Sequence, residues 1–322
     1  MDQAPLSTRK DALCVDHAGI VSVINIIYGK YSRKMKRLTL KAPGKINLYL
    51  NVLGKRDDGY HQIETVVQSI SIYDTLYFEK IKEGIHLICN HPYLCSEKDN
   101  LVYRAARLFF KLTNIKAGVR ITVDKSIPVG GGLGGGSADA AATLLGLNSL
   151  FNTNIPEDNL EKFSSILGSD VPFFIKKGTA LLRGRGDEIH PLPSIKEGWI
   201  VLVYPNIPIS TSWVYSKISS RLTQEGLDVK LNKDNLKRKI SSGQLLEVKD
   251  LLYNKLEEVV IKEFPLIEEI KNELRKRGAR GSLMSGSGST VFALAEDKKE
   301  AEKLARYLQS KGKVYLAQPT TA

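Results

Sequence analysis

Cysteine is scarce in this chain: Cys14, Cys89 and Cys95 are all that 322 residues contain. An odd number with no C-x-x-C pair gives no sign of a disulfide framework and predicts a reducing, cytoplasmic setting. His86, Cys89, His91 and Cys95 lie close together, but their spacing matches no common zinc motif. Residues 85–89 instead predict a strand with a turn at Asn90-His91-Pro92 after it, and no metal-ligating residue is expected. Membrane-length apolar runs are also missing. The patch Ile20-Val21-Ser22-Val23-Ile24-Asn25-Ile26-Ile27 is too short to cross a bilayer, so no membrane partner is expected. Repeats and low-complexity tracts are absent, and 42% hydrophobic and 25% charged residues are the proportions of an ordinary globular protein. Lys and Arg outnumber Asp and Glu by 47 to 35. That excess suits nucleic acid, a membrane surface or an anionic small molecule, without choosing between them.

Residues 1–34 have no clean small-residue cleavage site, and Asp2, Asp11 and Asp16 argue against a transit peptide. Met35 stands just before Lys36-Arg37-Leu38-Thr39-Leu40, where strand patterning begins. The expectation is that Met35 is the natural start and that residues 1–34 are an over-extended reading frame or a dispensable extension.

What is present is glycine in one place. Ile127-Pro128-Val129-Gly130-Gly131-Gly132-Leu133-Gly134-Gly135-Gly136-Ser137 sets six glycines around one leucine. Val119, Ile121 and Val123 alternate upstream with polar residues, as in a strand with one buried face. Residues 137–148 predict a helix whose first turn presents unpaired backbone N–H groups to the loop. Glycine lets those amides approach an anion closely, and the helix dipole favours negative charge there. A flexible linker is the bland alternative, and the clear strand and helix on either side argue against it. A Walker A loop is excluded because no lysine separates Gly136 from Ser137. Gly130, Gly132 and Gly135 satisfy G-x-G-x-x-G, but a dinucleotide fold also needs an acidic residue ending the next strand. Glu157 and Asp158 lie instead in a polar segment opened by Asn152-Thr153-Asn154-Ile155-Pro156.

Elsewhere, residues 38–53, 68–80, 119–123, 179–183, 199–204 and 290–294 predict strands. Residues 100–112, 235–240, 254–260, 264–277 and 299–310 predict helices. Ile189-His190-Pro191-Leu192-Pro193 marks a change of domain.

The glycine loop resembles the Pro-x-x-x-Gly-Leu-Gly/Ser-Ser-Ser motif of the GHMP kinases, a superfamily of small-molecule kinases. Lys41-Ala42-Pro43-Gly44-Lys45-Ile46-Asn47-Leu48 resembles the family's N-terminal motif, and Leu283-Met284-Ser285-Gly286-Ser287-Gly288-Ser289-Thr290 its C-terminal glycine motif. Two further segments, Gly54-Lys55-Arg56-Asp57-Asp58-Gly59-Tyr60-His61-Gln62-Ile63-Glu64-Thr65-Val66 and Gly168-Ser169-Asp170-Val171-Pro172-Phe173-Phe174, resemble one branch. That branch phosphorylates a cytidine-diphosphate-bearing alcohol of non-mevalonate isoprenoid biosynthesis. The resemblance runs from about Leu38 to the C-terminus.

The resemblance implies a two-domain α+β fold, with an N-terminal domain like the second domain of ribosomal protein S5 (35–190) and a ferredoxin-like C-terminal domain (191–322). It implies ATP, with Mg²⁺ carried on the nucleotide, held by Pro128, Val129, Gly130, Gly131, Gly132, Leu133, Gly134, Gly135, Gly136, Ser137 and Ala138. Asp170 becomes the general base, beside apolar residues that can exclude water and raise a carboxylate pKa; from the residues alone it reads as a cap or turn aspartate. Lys45, a solvated strand lysine otherwise, becomes its partner, and Asn47, on the same strand face, becomes a substrate-binding residue of the shared site. Tyr60 and His61 would grip the cytidine end of the substrate.

Several readings stay open. Ser137 is a phosphate or Mg²⁺ contact or only the helix cap. Asp139 suits the helix dipole and is not expected to bind metal. Lys125 is a solvated charge or meets nucleotide phosphate or ribose. Phe173 and Phe174 are core or pocket wall, and Gly286 and Gly288 form a turn or pass near phosphate. Arg183, Arg185 and Asp187 have no assigned role. The expected partner is a small molecule carrying a cytidine diphosphate group, with no nucleic acid and the chain a monomer or homodimer. A homoserine or mevalonate kinase relative is the second enzyme reading. A nucleic-acid module is the reading from another class, and it predicts strongly salt-dependent RNA binding without ATP turnover.

Overall fold

The computed structural model describes residues 36–91, 99–219 and 231–321. The extension 1–34, Met35, Cys14 and Cys95 lie outside the described residues.

The chain opens with two long strands, β1 (Arg37–Lys55) and β2 (His61–Ile81), paired antiparallel from Arg37↔Glu79 to Lys55↔His61. The turn between them closes when the Asp58 carboxylate accepts the Tyr60 amide N–H at 3.1 Å. The register shifts at Pro43/Gly44, where proline has no N–H for the ladder and the strand bends. β3 (Ile85–Cys89), α1 (Leu101–Thr113) and β4 (Gly118–Asp124) follow. Beyond the glycine loop come α2 (Gly135–Phe151), α3 (Glu157–Ser164), α4 (Val171–Lys176) and the hairpin β5 (Thr179–Arg183) and β6 (Glu188–Pro191). The helix predicted for 137–148 thus begins two residues earlier and runs three further. It is almost wholly buried: alanines at 138 and 140–142 let it lie against α1, α4 and the sheet in one core with Leu76, Phe78, Ile121 and Phe109.

The second half contains β7 (Trp199–Tyr204), α5 (Thr211–Ser219), α6 (Lys233–Ser241), a 3₁₀ segment Leu245–Leu251 and β8 (Tyr253–Asn254). Then come α7 (Glu257–Glu263), α8 (Leu266–Lys276), β9 (Ser282–Met284), β10 (Val291–Ala295), α9 (Lys298–Leu308) and β11 (Lys313–Ala317). The strands form an antiparallel sheet in the order β11-β7-β10-β9. Strand alternation gives this sheet two apolar faces. Val201, Val203, Val291 and Ala293 pack on α7, α8 and α9. Ile200, Leu202, Phe292 and Leu294 pack on Ile46, Leu48 and Ile70 of the first sheet.

β6 ends at Pro191, yet later residues return to the first sheet. Tyr253 pairs in parallel with Tyr49, and the Thr320 amide donates to Ser69 at 2.9 Å. The helix expected over 254–260 is therefore corrected: Asn254 is strand, and α7 starts at Glu257. Tertiary pairing overrides propensity here, because the Lys255 amide is engaged by Leu50 of β1 at 2.9 Å.

Candidate active site

A cavity of about 950 Å³ is walled by the glycine loop, the β1/β2 hairpin, the start of α4, α5 and the turn after β9. Along the loop, five consecutive carbonyls accept hydrogen bonds from the protein. Val129 takes the Tyr204 hydroxyl (3.0 Å), Gly130 the Ile209 amide (3.2 Å), Gly131 the Thr290 amide (3.2 Å), Gly132 the Ser285 hydroxyl (3.0 Å) and Leu133 the Lys45 amide (2.9 Å). In a trans peptide N–H points opposite C=O. The amide of each of residues 130–134 is therefore turned away from the partner of the carbonyl before it. Gly132 has φ +75°, and a Cβ there would stand 2.0 Å from the Ser285 carbonyl oxygen, so only glycine fits.

α2 begins at Gly135, and its N-cap is Gly134 with φ +71°, with no side-chain cap bond. Ser137 is therefore inside the first turn and is not the cap. The first helical amides keep no intrahelical acceptor, as at any helix start, and can serve an anion. Ala138 contributes no such donor: its amide goes to Gly134 at 2.9 Å and the residue is 1% exposed.

Lys45 is not solvated; its side chain is 7% exposed. Nζ donates to Asn47 Oδ1 at 2.5 Å and lies 3.7 Å from Asp170 Oδ2. Asn47 is itself oriented, since its Nδ2 donates to Thr65 Oγ1 at 2.9 Å, and that hydroxyl donates to the Tyr49 carbonyl at 2.6 Å. Burial lowers the Lys45 pKa, and the Asp170 charge partly opposes this. Asp170 occupies the N-cap position of α4, but its side chain makes no cap hydrogen bond, which leaves it to face Lys45. Val171, Phe173 and Phe174 below it are core, whereas the Asp170 side chain is 42% exposed. The expected exclusion of water by those apolar residues does not extend to the carboxylate.

The segments that carry Lys45, the glycine loop and Asp170 thus meet in space, and the C-terminal glycine segment joins them: a Cβ on Gly286 would stand 3.2 Å from both Lys45 Nζ and Asn47 Oδ1. Asn254 holds that turn by donating to the carbonyls of Met284 and Gly286, both at 2.8 Å.

Family comparison agrees with this geometry. A model of the GHMP kinases N terminal domain matches residues 100–178, and one of the GHMP kinases C terminal matches 233–314. The 4-diphosphocytidyl-2-C-methyl-D-erythritol kinase of Acaryochloris marina is 40% identical over 287 residues, covering 86% of this chain and 93% of that protein. The enzyme of the same name from Geobacter sulfurreducens is 42% identical over 278 residues, covering 86% and 96%. The chain belongs to the 4-diphosphocytidyl-2-C-methyl-D-erythritol kinase family of GHMP kinases. A solved 4-(cytidine 5'-diphospho)-2C-methyl-D-erythritol kinase superposes with a TM-score of 0.75 at 34% identity, covering 88% of this chain and all of that one. A homoserine kinase from Cytophaga hutchinsonii gives 0.71 at 16% identity, covering 91% and 97%, which speaks for the fold alone. The two-domain α+β GHMP kinase fold accounts for both sheets.

The hairpin end of this kinase-family cavity is aromatic. Tyr60 is half-exposed, with the Arg185 guanidinium 5.1 Å from its ring centroid. His61 is buried, its ring 5.0 Å from that of Tyr215 on α5. Burial, and secondarily Lys55, lowers the His61 pKa, so the imidazole is neutral at pH 7. Tyr215 was not expected from sequence. Burial and then the Asp170 charge push its phenol pKa up. Thr211, at the start of α5, shares a 2.8 Å hydrogen bond with Ser287. Arg185 pairs with Asp187 at 2.6 Å, and Arg183 with Glu64 at 2.9 Å.

At the other end Lys125, expected to be solvated or to meet nucleotide, is buried between Asp74 and Asp139. Asp139 is buried in the same cluster, where desolvation, opposed by Lys125 and reinforced by Asp74, pushes its pKa up to about 7. Among the described residues no group of three His, Cys, Asp or Glu is placed to hold a metal.

Proposed function

We propose that this chain transfers the γ-phosphoryl group of ATP to the 2-hydroxyl of 4-diphosphocytidyl-2-C-methyl-D-erythritol, giving the 2-phosphate and ADP. The observation that carries this is the buried Lys45 beside Asp170, next to a loop whose carbonyls are tied back and whose amides are left for phosphate. Asp170 takes the proton of the acceptor hydroxyl as its oxygen attacks the γ-phosphorus. The bond to the bridging oxygen breaks and ADP leaves. The Lys45 ammonium, steadied by Asn47, stabilises the developing charge. The donors present do not form a metal cage, since Asp139 is engaged by Lys125 and Asp170 faces Lys45. Mg²⁺ carried on the nucleotide would supply counter-charge at the phosphates.

Tyr60, His61 and Tyr215 supply aromatic faces and a neutral imidazole for the cytidine end. We assign the domains to 35–190 and 191–322. The same reading makes the chain a cytoplasmic enzyme, monomer or homodimer, with no nucleic-acid partner.

The test is ADP formation by the purified chain with ATP and Mg²⁺, offered the cytidylated acceptor, homoserine or mevalonate. Turnover confined to the cytidylated acceptor is expected. Preference for either alternative alcohol would overturn the substrate, and salt-sensitive RNA binding without turnover would overturn the kinase assignment.

A further inference from the structure

Beneath the glycine loop lies a buried charge cluster that phosphoryl transfer, as described, does not use. Lys125 Nζ donates to Asp74 Oδ2 and, at 2.7 Å, to Asp139 Oδ2. The three side chains are 5%, 0% and 5% exposed. The other oxygen of Asp74 accepts the amides of Ser126 and Ile127 at 2.6 and 2.8 Å. The cluster therefore joins β2, the strand-to-loop junction and the second turn of α2. A Cβ on Gly135 would stand 3.2 Å from Nζ, so the ammonium sits under the first residue of the helix. Both feet of the loop, residues 126–127 and 135–139, hang from one ammonium. Asp74 lies opposite Ala42 in the β1 ladder, on the strand that carries Lys45.

A buried ion cluster is a poor source of stability, because apolar packing of the same volume commonly does as well. What it supplies is fixed geometry between charged groups on separate elements. We propose that Lys125 is a positioning residue for the nucleotide: through Asp74 and Asp139 it sets the separation of the two ends of the loop, so that the loop amides converge on the triphosphate. This rests on the loop holding ATP, as proposed above.

The test uses the full chain and measures the KM for ATP and for the cytidylated acceptor separately, with ATP binding by calorimetry. Lys125→Met is combined with Asp139→Asn, so that no unpaired pair of carboxylates is left facing. The KM for ATP should rise about tenfold or more while kcat and the acceptor KM stay within about threefold. Asp139→Asn alone, which leaves Lys125 tied to Asp74, should give a smaller rise. A folded double variant with an unchanged KM for ATP, or one in which both KM values rise alike as from general loosening, overturns the role. If the double variant does not fold, Asp74→Asn decides by the same split: it keeps an oxygen for the two amides and loses the charge that holds Lys125. Wild-type chain that binds no ATP refutes the kinase assignment itself. Wild type and variant binding ATP equally well refutes only the role of Lys125.

Discussion

Replacing Asp170 with asparagine removes a charge and a base while conserving volume. The side chain caps nothing and is 42% exposed, so the loss of stability should not exceed the worth of its pairing with Lys45, about 2 kcal/mol or less. Its oxygen lies 3.7 Å from Lys45 Nζ. With Asp170 42% exposed and Lys45 buried, solvent screens the pair from one side, and at an effective dielectric of about 40–80 a charge pair at that separation is worth about 1–2 kcal/mol. Without it, burial acts on Lys45 unopposed, and a pKa already held below the ordinary lysine value falls further. Two kinetic effects should follow. Loss of the base lowers kcat by about 10²- to 10⁴-fold. The alkaline limb of the rate profile moves to lower pH, because an ammonium needed in its charged form is lost sooner. Coupled measurement of ADP formation between about pH 6 and 10 separates the two effects, with circular-dichroism melting as the fold control. A folded variant that keeps more than about a tenth of the wild-type kcat refutes Asp170 as the base. A large fall in kcat with an unmoved alkaline limb refutes its electrostatic hold on Lys45.

Gly132→Ala places a methyl 2.0 Å from the Ser285 carbonyl oxygen at a φ of +75°. It should cost about 2–4 kcal/mol and raise the KM for ATP, whereas Gly54→Ala, with nothing within 4 Å, should stay within about 0.5 kcal/mol. Thermal melts of the two variants check this, and equal melting points would refute the close approach. For His61, whose pKa is depressed by burial and then Lys55, the folded protein favours the neutral ring, and charging it at a pH below the ordinary histidine value should raise the acceptor KM. The KM for ATP should not follow. His61→Gln should flatten the acceptor profile; an unchanged pH dependence in that variant would show that another group titrates.

What the sequence made legible is short-range. Lys45 and Asn47 share a strand face because side chains alternate, and they bond at 2.5 Å. The glycine loop could be read because a strand ends before it and a helix starts after it. Ser137 is a candidate cap in the sequence because serine is a preferred N-cap; the left-handed backbone at Gly134 sets the helix start instead, and no side chain announces that. The charge cluster was hidden for a different reason. Asp74, Lys125 and Asp139 are 51 and 14 residues apart in sequence, and each alone resembles a solvated charge. Tyr215 and β8 were missed because their roles arise only when α5 and β1 are brought against them.

The order of the motifs along the chain has a physical cause that the contacts expose. Four of the five loop carbonyls are held by groups from the second half of the chain, Tyr204, Ile209, Thr290 and Ser285, and the fifth by Lys45. The amides that would bind phosphate are therefore oriented from both domains at once, and neither domain alone could orient the loop. The turn after β9 needs glycine at 286 for the same reason that the loop needs it at 132. Each backbone comes within reach of the other, the Gly132 carbonyl standing 3.1 Å from where a Gly286 Cβ would be. Glycine-bearing segments far apart in sequence are then one requirement: close approach of two backbones beside a buried lysine leaves no room for a side chain on either.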